Sequence, residues 1–163
     1  MKVLVCDPIS QTGIDFLKQQ DDLETIVLDH LHTEEELLQI VSNVSAMAIR
    51  SETKITKAVL EAAPEMKIVG RAGVGVDNID IEAATQSGVI VMNTPGGNTI
   101  ATCELTFSMM TALARNIPQA HGSMVAGEWN RKAFKGVELY GKTLGVMGMG
   151  RIGGEVARRA VAF

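Results

Sequence analysis

Through the first ninety residues, apolar positions gather into short runs: "KVLVC" (2–6), "ETIVL" (24–28), "AMAI" (46–49), "KIVG" (67–70) and "VIVM" (89–92). Runs of this length, rich in β-branched residues and bounded by turn formers, read as buried strands. The stretches between them read as helices, over 10–19, 33–41, about 56–63 and about 80–87. Thr33 stands as N-cap with Glu36 three residues on, which is a capping box. Asp80 can cap the fourth helix and Gly88 can end it. Strictly alternating strands and helices predict an α/β fold, with a mostly parallel sheet covered by helices on both faces.

The rhythm changes after "NTPGGN" (93–98), whose Pro, Gly and Asn read as a linker. A long helix is predicted over 99–116. It is apolar on much of its surface, which predicts packing between two lobes or subunits, with Met109 and Met110 as core residues. Residues 117–141 form a mixed arm with His121, Trp129 and Phe134. "KTLGVM" (142–147) reads as a strand, and a helix begins at 150. A single strand–helix unit cannot cover both faces of a parallel strand. Val146, Ile152, Val156 and Val161 are therefore expected to lack much of their core, leaving 142–163 poorly ordered or aggregation-prone in isolation.

Composition narrows the class without naming a chemistry. The chain has 163 residues, 46% hydrophobic and 21% charged, enough for one domain or one domain and part of another. A net charge of -4 argues against binding nucleic acid or an anionic membrane surface. No apolar run reaches the roughly 18 residues of a membrane span. The first strand is too short for a signal peptide, so a cytoplasmic protein is expected. Cys6 and Cys103 sit among apolar residues and read as buried thiols. His30 and His32 read as solvated loop residues and His121 as structural, with no metal site.

The candidate chemistry follows from topology. In a doubly wound sheet, ligands bind beyond the carboxyl ends of the strands. Arg50 and Ser51 follow the third run, and Arg71, Ala72, Gly73, Val74 and Gly75 follow the fourth. Asn93 and Thr94 follow the fifth, with Asn98 at the next helix start. Two guanidinium forks and several backbone N–H groups suit a small polyanion. Gly73 and Gly75 bracket Val74, so the backbone can approach a ligand and present donors. The alternative is that these are solvated arginines and turn glycines. A second motif is Gly148-Met149-Gly150-Arg151-Ile152-Gly153. This G-x-G-x-x-G follows a predicted strand and opens a helix, as a dinucleotide-binding fingerprint requires. Gly148 would make the turn, Gly150 would admit the pyrophosphate, and Gly153 would let helix and strand pack closely. The acidic residue that grips the ribose in this fingerprint, about 20 residues further on, falls past Phe163, so the motif leaves NAD and NADP open.

"IRSETKIT" (49–56), the block 69–99, "ELTFSMMTALARNIPQA" (104–120) and "GKTLGVMGMGRIGGEVA" (141–157) resemble the D-2-hydroxyacid dehydrogenases. The "GRAGVGVDN" form, with Arg71, is most similar to the branch that oxidises 3-phosphoglycerate, the first step of serine biosynthesis. The resemblance implies a flavodoxin-like substrate-binding lobe over 1–97. It implies that 98–163 carry an interlobe helix, a dimer-contact arm and the first βα unit of a Rossmann NAD-binding domain. It places Arg50, Ser51, Arg71, Gly73, Val74, Gly75 and Asn98 on a small phosphorylated 2-hydroxy acid. Val74, Thr102, Gly148, Gly150, Arg151, Ile152 and Gly153 are implied on NAD. The family's catalytic Arg, Glu and His match no residue here, so none is assigned a catalytic role. The expectation is therefore a fragment of an NAD-dependent oxidoreductase, inactive alone and homodimeric or larger in its full-length form. Two other readings stand beside it: a relative acting on glyoxylate, hydroxypyruvate or D-lactate, or a non-catalytic binding or dimerising remnant.

Overall fold

A computed structural model describes all 163 residues, Met1–Phe163. The chain divides into two compact units, Met1–Gly97 and Asn98–Phe163.

The first unit alternates β1 (Lys2–Val5), α1 (Gln11–Lys18), β2 (Glu24–Val27), α2 (Glu34–Ile40), β3 (Ala46–Ile49), α3 (Lys57–Glu61), β4 (Ile68–Arg71), α4 (Ile81–Gln86) and β5 (Ile90–Met92). All five strands pair in parallel, in the order β2-β1-β3-β4-β5. This is the flavodoxin-like order, in which the winding reverses between β1 and β3. The helices start where the sequence offers oxygen acceptors. Thr33 and Glu36 form the reciprocal capping box, and the Asp80 carboxylate accepts the Ala83 N–H at 2.9 Å. Ser10 and Thr56 cap α1 and α3 in the same way. The apolar strand residues Leu4, Met47, Ile49 and Val69 then bury against Leu37, Val59, Leu60 and Ala84 of the helices. An isolated parallel bridge, Ile55 with Ile79, ties the segment after β3 to the segment after β4. It holds together the two loops that carry the arginines.

The second unit consists of α5 (Thr99–Ala114), α6 (Ile117–Val125) and α7 (Arg151–Ala160). Three sequence expectations are corrected here, and the mixed arm contains a helix, α6. Asn116, at φ 54°, takes the left-handed conformation that asparagine tolerates, and Pro118 then opens a new helix in its first turn. No strand forms at 142–147, because every other regular element of this unit is a helix and no edge is present to pair with. Met109 is 65% exposed rather than core. Finally, Val156 is buried, because α7 packs along α5, where Cys103 is fully buried and Phe163 stacks on Phe107 at 5.3 Å. The C-terminal helix thus finds on α5 a cover that the strand could not supply. No helix is long and apolar enough to cross a membrane.

Candidate functional site

The carboxyl ends of β1, β3 and β4 bring the predicted anion-binding residues of the first unit together. Arg50 leaves β3 with an exposed side chain, whose one hydrogen bond is a long 3.4 Å contact from Nη1 to the Pro8 carbonyl. Ser51 beside it is exposed. Arg71, the last residue of β4, behaves differently. It is only 8% exposed, and its guanidinium is directed into the protein. Nε donates to the Arg50 carbonyl at 3.2 Å and Nη1 to the Gly75 carbonyl at 2.5 Å, while Asp77 lies 3.6 Å from Nη2.

The two glycines acquire a different physical reason from the one their spacing suggests. A Cβ at Gly73 would sit 2.8 Å from Arg71 Nη1, and one at Gly75 would sit 2.7 Å from Asp77 Oδ1. Gly73 therefore makes room for the Arg71 guanidinium, and Gly75 chiefly for the Asp77 carboxylate beside it. The loop is also pinned from β5: Thr94 donates from N–H and hydroxyl to the Gly73 carbonyl, and Asn93 donates to that of Val74. With these carbonyls engaged, the N–H groups of Val74 and Gly75 make no hydrogen bond within the chain. They remain available to a ligand, as do those of Ser51 and Glu52.

Three residues that strand-end reasoning did not single out complete this arrangement. Asp7, 3% exposed, follows β1 by two positions. Its carboxylate accepts the Arg50 N–H at 2.5 Å, the Thr53 N–H at 3.2 Å and the Thr53 hydroxyl at 2.5 Å. Asn78 donates to the carbonyls of Arg50 and Thr53 at 2.8 and 2.6 Å. The signal for Asp7 was present, since it directly follows the first apolar run. Thr53 and Asn78 carry none, because their partners are set by loop geometry. Next to Asp7, burial first and the neighbouring carboxylate second push the Cys6 thiol up to about 12. Cys6 is therefore a packing residue.

The remaining predicted residues belong to the second unit. Asn98 precedes α5, and Thr102 lies half-buried on its first turn. The glycine loop of 148–153 fits a dinucleotide on its own geometry. Gly148 has φ 90°, a conformation that side chains resist. Gly150 has open space around its Cβ position, and a Cβ at Gly153 would collide with the Gly148 carbonyl. α7 starts at Gly150 with no side-chain cap, so the first-turn N–H groups of Arg151, Ile152 and Gly153 are free. Such a terminus attracts phosphate through its unpaired donors and its dipole. The histidines stand apart from both arrangements. His30 and His32 stack at 4.3 Å in the turn before α2, and His121 is exposed on α6. No cluster of metal-binding side chains occurs.

A flavodoxin-like unit with an exposed arginine and unpaired N–H groups at its strand ends, followed by a glycine loop at a helix start, defines a class of proteins. Residues 3–137 match the family described as D-isomer specific 2-hydroxyacid dehydrogenase, catalytic domain. The chain belongs to that family. Among its relatives, the D-3-phosphoglycerate dehydrogenase of Methanocaldococcus jannaschii is 52% identical over the whole chain. The chain spans 30% of that relative's length. The TT0316 protein of Thermus thermophilus superposes with a TM-score of 0.89 at 36% identity, over 99% of this chain and 53% of its own. The NAD+-bound 3-phosphoglycerate dehydrogenase of Entamoeba histolytica does so with 0.78 at 32%, over 99% and 51%.

Proposed function

We propose that this chain is the anion-binding unit and the opening of the NAD-binding unit of a D-3-phosphoglycerate dehydrogenase, a cytoplasmic enzyme of serine biosynthesis. The observation that carries the reading is the exposed Arg50 guanidinium beside the free N–H groups of Ser51, Val74 and Gly75. Arg50 takes the phosphate of the substrate as a planar fork. The backbone donors hold its carboxylate. Arg71 contributes from beneath, through the guanidinium hydrogens that the Arg50 and Gly75 carbonyls leave over. This grip lies away from the reacting carbon, where binding energy serves orientation. NAD, when bound, accepts the hydride that leaves C2 as the 2-hydroxy acid becomes a 2-keto acid. Gly148, Gly150, Arg151, Ile152 and Gly153 would hold its pyrophosphate. The group that takes the hydroxyl proton is not among these 163 residues, so the chain alone binds without turning over. The arm is proposed as a self-association surface, supported by the exposed Val125, Trp129 and Tyr140.

One observation favours a second reading. Arg71 is committed to two carbonyls, so a single free guanidinium faces the proposed anion shelf, which would also suit an unphosphorylated 2-hydroxy acid such as D-lactate, or the glycolate and D-glycerate that correspond to glyoxylate and hydroxypyruvate. Arg50→Ala separates the readings, because Arg71→Ala would also collapse the loop. Loss of 3-phosphoglycerate binding with D-glycerate binding unchanged supports the phosphoglycerate reading. Equal loss of both supports the second.

A further inference from the structure

The side chain best placed to grip an anion is also the one whose backbone is most heavily held. The Arg50 N–H is bound by Asp7 from the end of β1. The Arg50 carbonyl is bound by Arg71 from the end of β4 and by Asn78 from the following loop. Asp7 and Asn78 then meet again on Thr53, one at its N–H and hydroxyl and the other at its carbonyl. Three side chains from two other strand ends, with the loop's own Thr53 hydroxyl, therefore fix one short loop. The N–H groups of Ser51 and Glu52 stay unbonded, and the Arg50 side chain stays exposed.

From this geometry we infer that Asp7 is a positioning residue for substrate-anion recognition, acting through the Arg50 backbone. This inference rests on the proposed anion shelf. A buried carboxylate beside an anion site opposes the ligand electrostatically, so its value there is geometric. It accepts three donors that would otherwise be stranded in a buried loop, and it sets the direction in which Arg50 leaves the sheet. The place itself is the β1/β3 reversal of the winding, where the crevice of such a sheet opens. Cys6 and Asp7 stand on the β1 side of that crevice and Arg50 on the β3 side. The bond between them closes its floor.

The test is titration of the isotope-labelled chain with 3-phosphoglycerate and with D-glycerate, following amide shifts. It uses the unaltered chain, Asp7→Ala, Asp7→Asn, Thr53→Val and Arg50→Ala. Asp7→Ala is expected to weaken 3-phosphoglycerate about tenfold, the scale of hydrogen bonds to a charged group, with D-glycerate little changed. Asp7→Asn is expected to restore binding to within about twofold, because an amide oxygen can still accept the Arg50 N–H while its NH2 meets the Thr53 hydroxyl. Should Asp7→Ala not fold, Thr53→Val decides, with a loss of about threefold expected from one missing donor. Binding by Asp7→Ala equal to the unaltered chain, or equal loss for both ligands, overturns the positioning role. So does Thr53→Val binding normally when Asp7→Ala is unfolded. If Arg50→Ala weakens 3-phosphoglycerate in these cases, the anion shelf itself stands. If Arg50→Ala changes nothing, or the unaltered chain shows no saturable binding, the shelf falls and the role of Asp7 with it.

Discussion

At Cys6, burial has a consequence that can be read by chemistry. A thiol held at about 12 offers almost no thiolate at neutral pH, so alkylation of the native chain should spare Cys6. Urea should expose it to rapid modification, which mass spectrometry would report. The same shift fixes a pH dependence. The unfolded thiol releases its proton near 9.0 and the folded one near 12, so stability is intact below that window and falls as pH rises through it. The loop glycines allow a sharper comparison. Gly73→Ala drives a methyl group into Arg71 Nη1, which the Gly75 carbonyl pins, and should cost about 1–2 kcal/mol in urea unfolding. Gly75→Ala meets chiefly the end of the exposed Asp77 side chain, which can swing aside, and should cost less unless the Arg71 contact at 3.4 Å cannot relax.

Among the elements, α2 depends on its cap and α7 on its glycines. Thr33→Ala removes one half of the capping box and should destabilise the first unit by about 1 kcal/mol, measured by thermal melting. The Glu36 carboxyl is lowered chiefly by the Thr33 N–H that it accepts. Its contribution is therefore present above the ordinary carboxylate value and is lost as pH falls through the lowered one. Protection of the Thr33 amide should fade in the same acid range. Glu155 follows the same sign, lowered mainly by its hydrogen bond from Arg159 and helped by Arg158. At the other end of α7, Gly153→Ala brings a methyl group against the Gly148 carbonyl. Either the helix shifts or the turn opens, and both displace the free N–H groups from their common target. Loss of NADH binding, followed by fluorescence, is the expected outcome for any form of the protein that binds it.

For the molecule as a whole, binding and turnover should separate. The chain carries the proposed anion shelf and a glycine loop, but its histidines sit in the turn before α2 and on α6. The 163-residue chain should therefore form no NADH from 3-phosphoglycerate and NAD above a blank. Measurable turnover would require a proton acceptor among these residues. Self-association belongs to this scale too. Leu113, Val125, Trp129 and Tyr140 expose large apolar area in the second unit. Sedimentation should show concentration-dependent association, and Trp129→Asp should weaken it.

Much of this protein is legible in local sequence, because the rules involved are local. Alternating apolar runs and helical stretches gave the strand and helix sequence of residues 1–92 within a residue or two. Thr33, Glu36 and Asp80 capped the helices that their positions announce. The strand-end rule located Arg50, Arg71 and the 73–75 loop, and the glycine spacing located 148–153. A strand, however, needs a neighbour as well as apolar residues, so 142–147 could not be settled from its own letters. Whether Met109 and Val156 are covered depends on which surface another element reaches. The same limit governs the site. Two arginines at successive strand ends look alike in sequence, yet only tertiary structure turns Arg71 inward onto the Arg50 and Gly75 carbonyls and leaves Arg50 free. Asp7 meets Arg50 and Thr53 across 43 and 46 residues of chain, through parallel pairing of β1 with β3. Periodicity and spacing describe how a segment would fold. Which donors a buried carboxylate must satisfy is decided when distant segments are packed together and water is excluded.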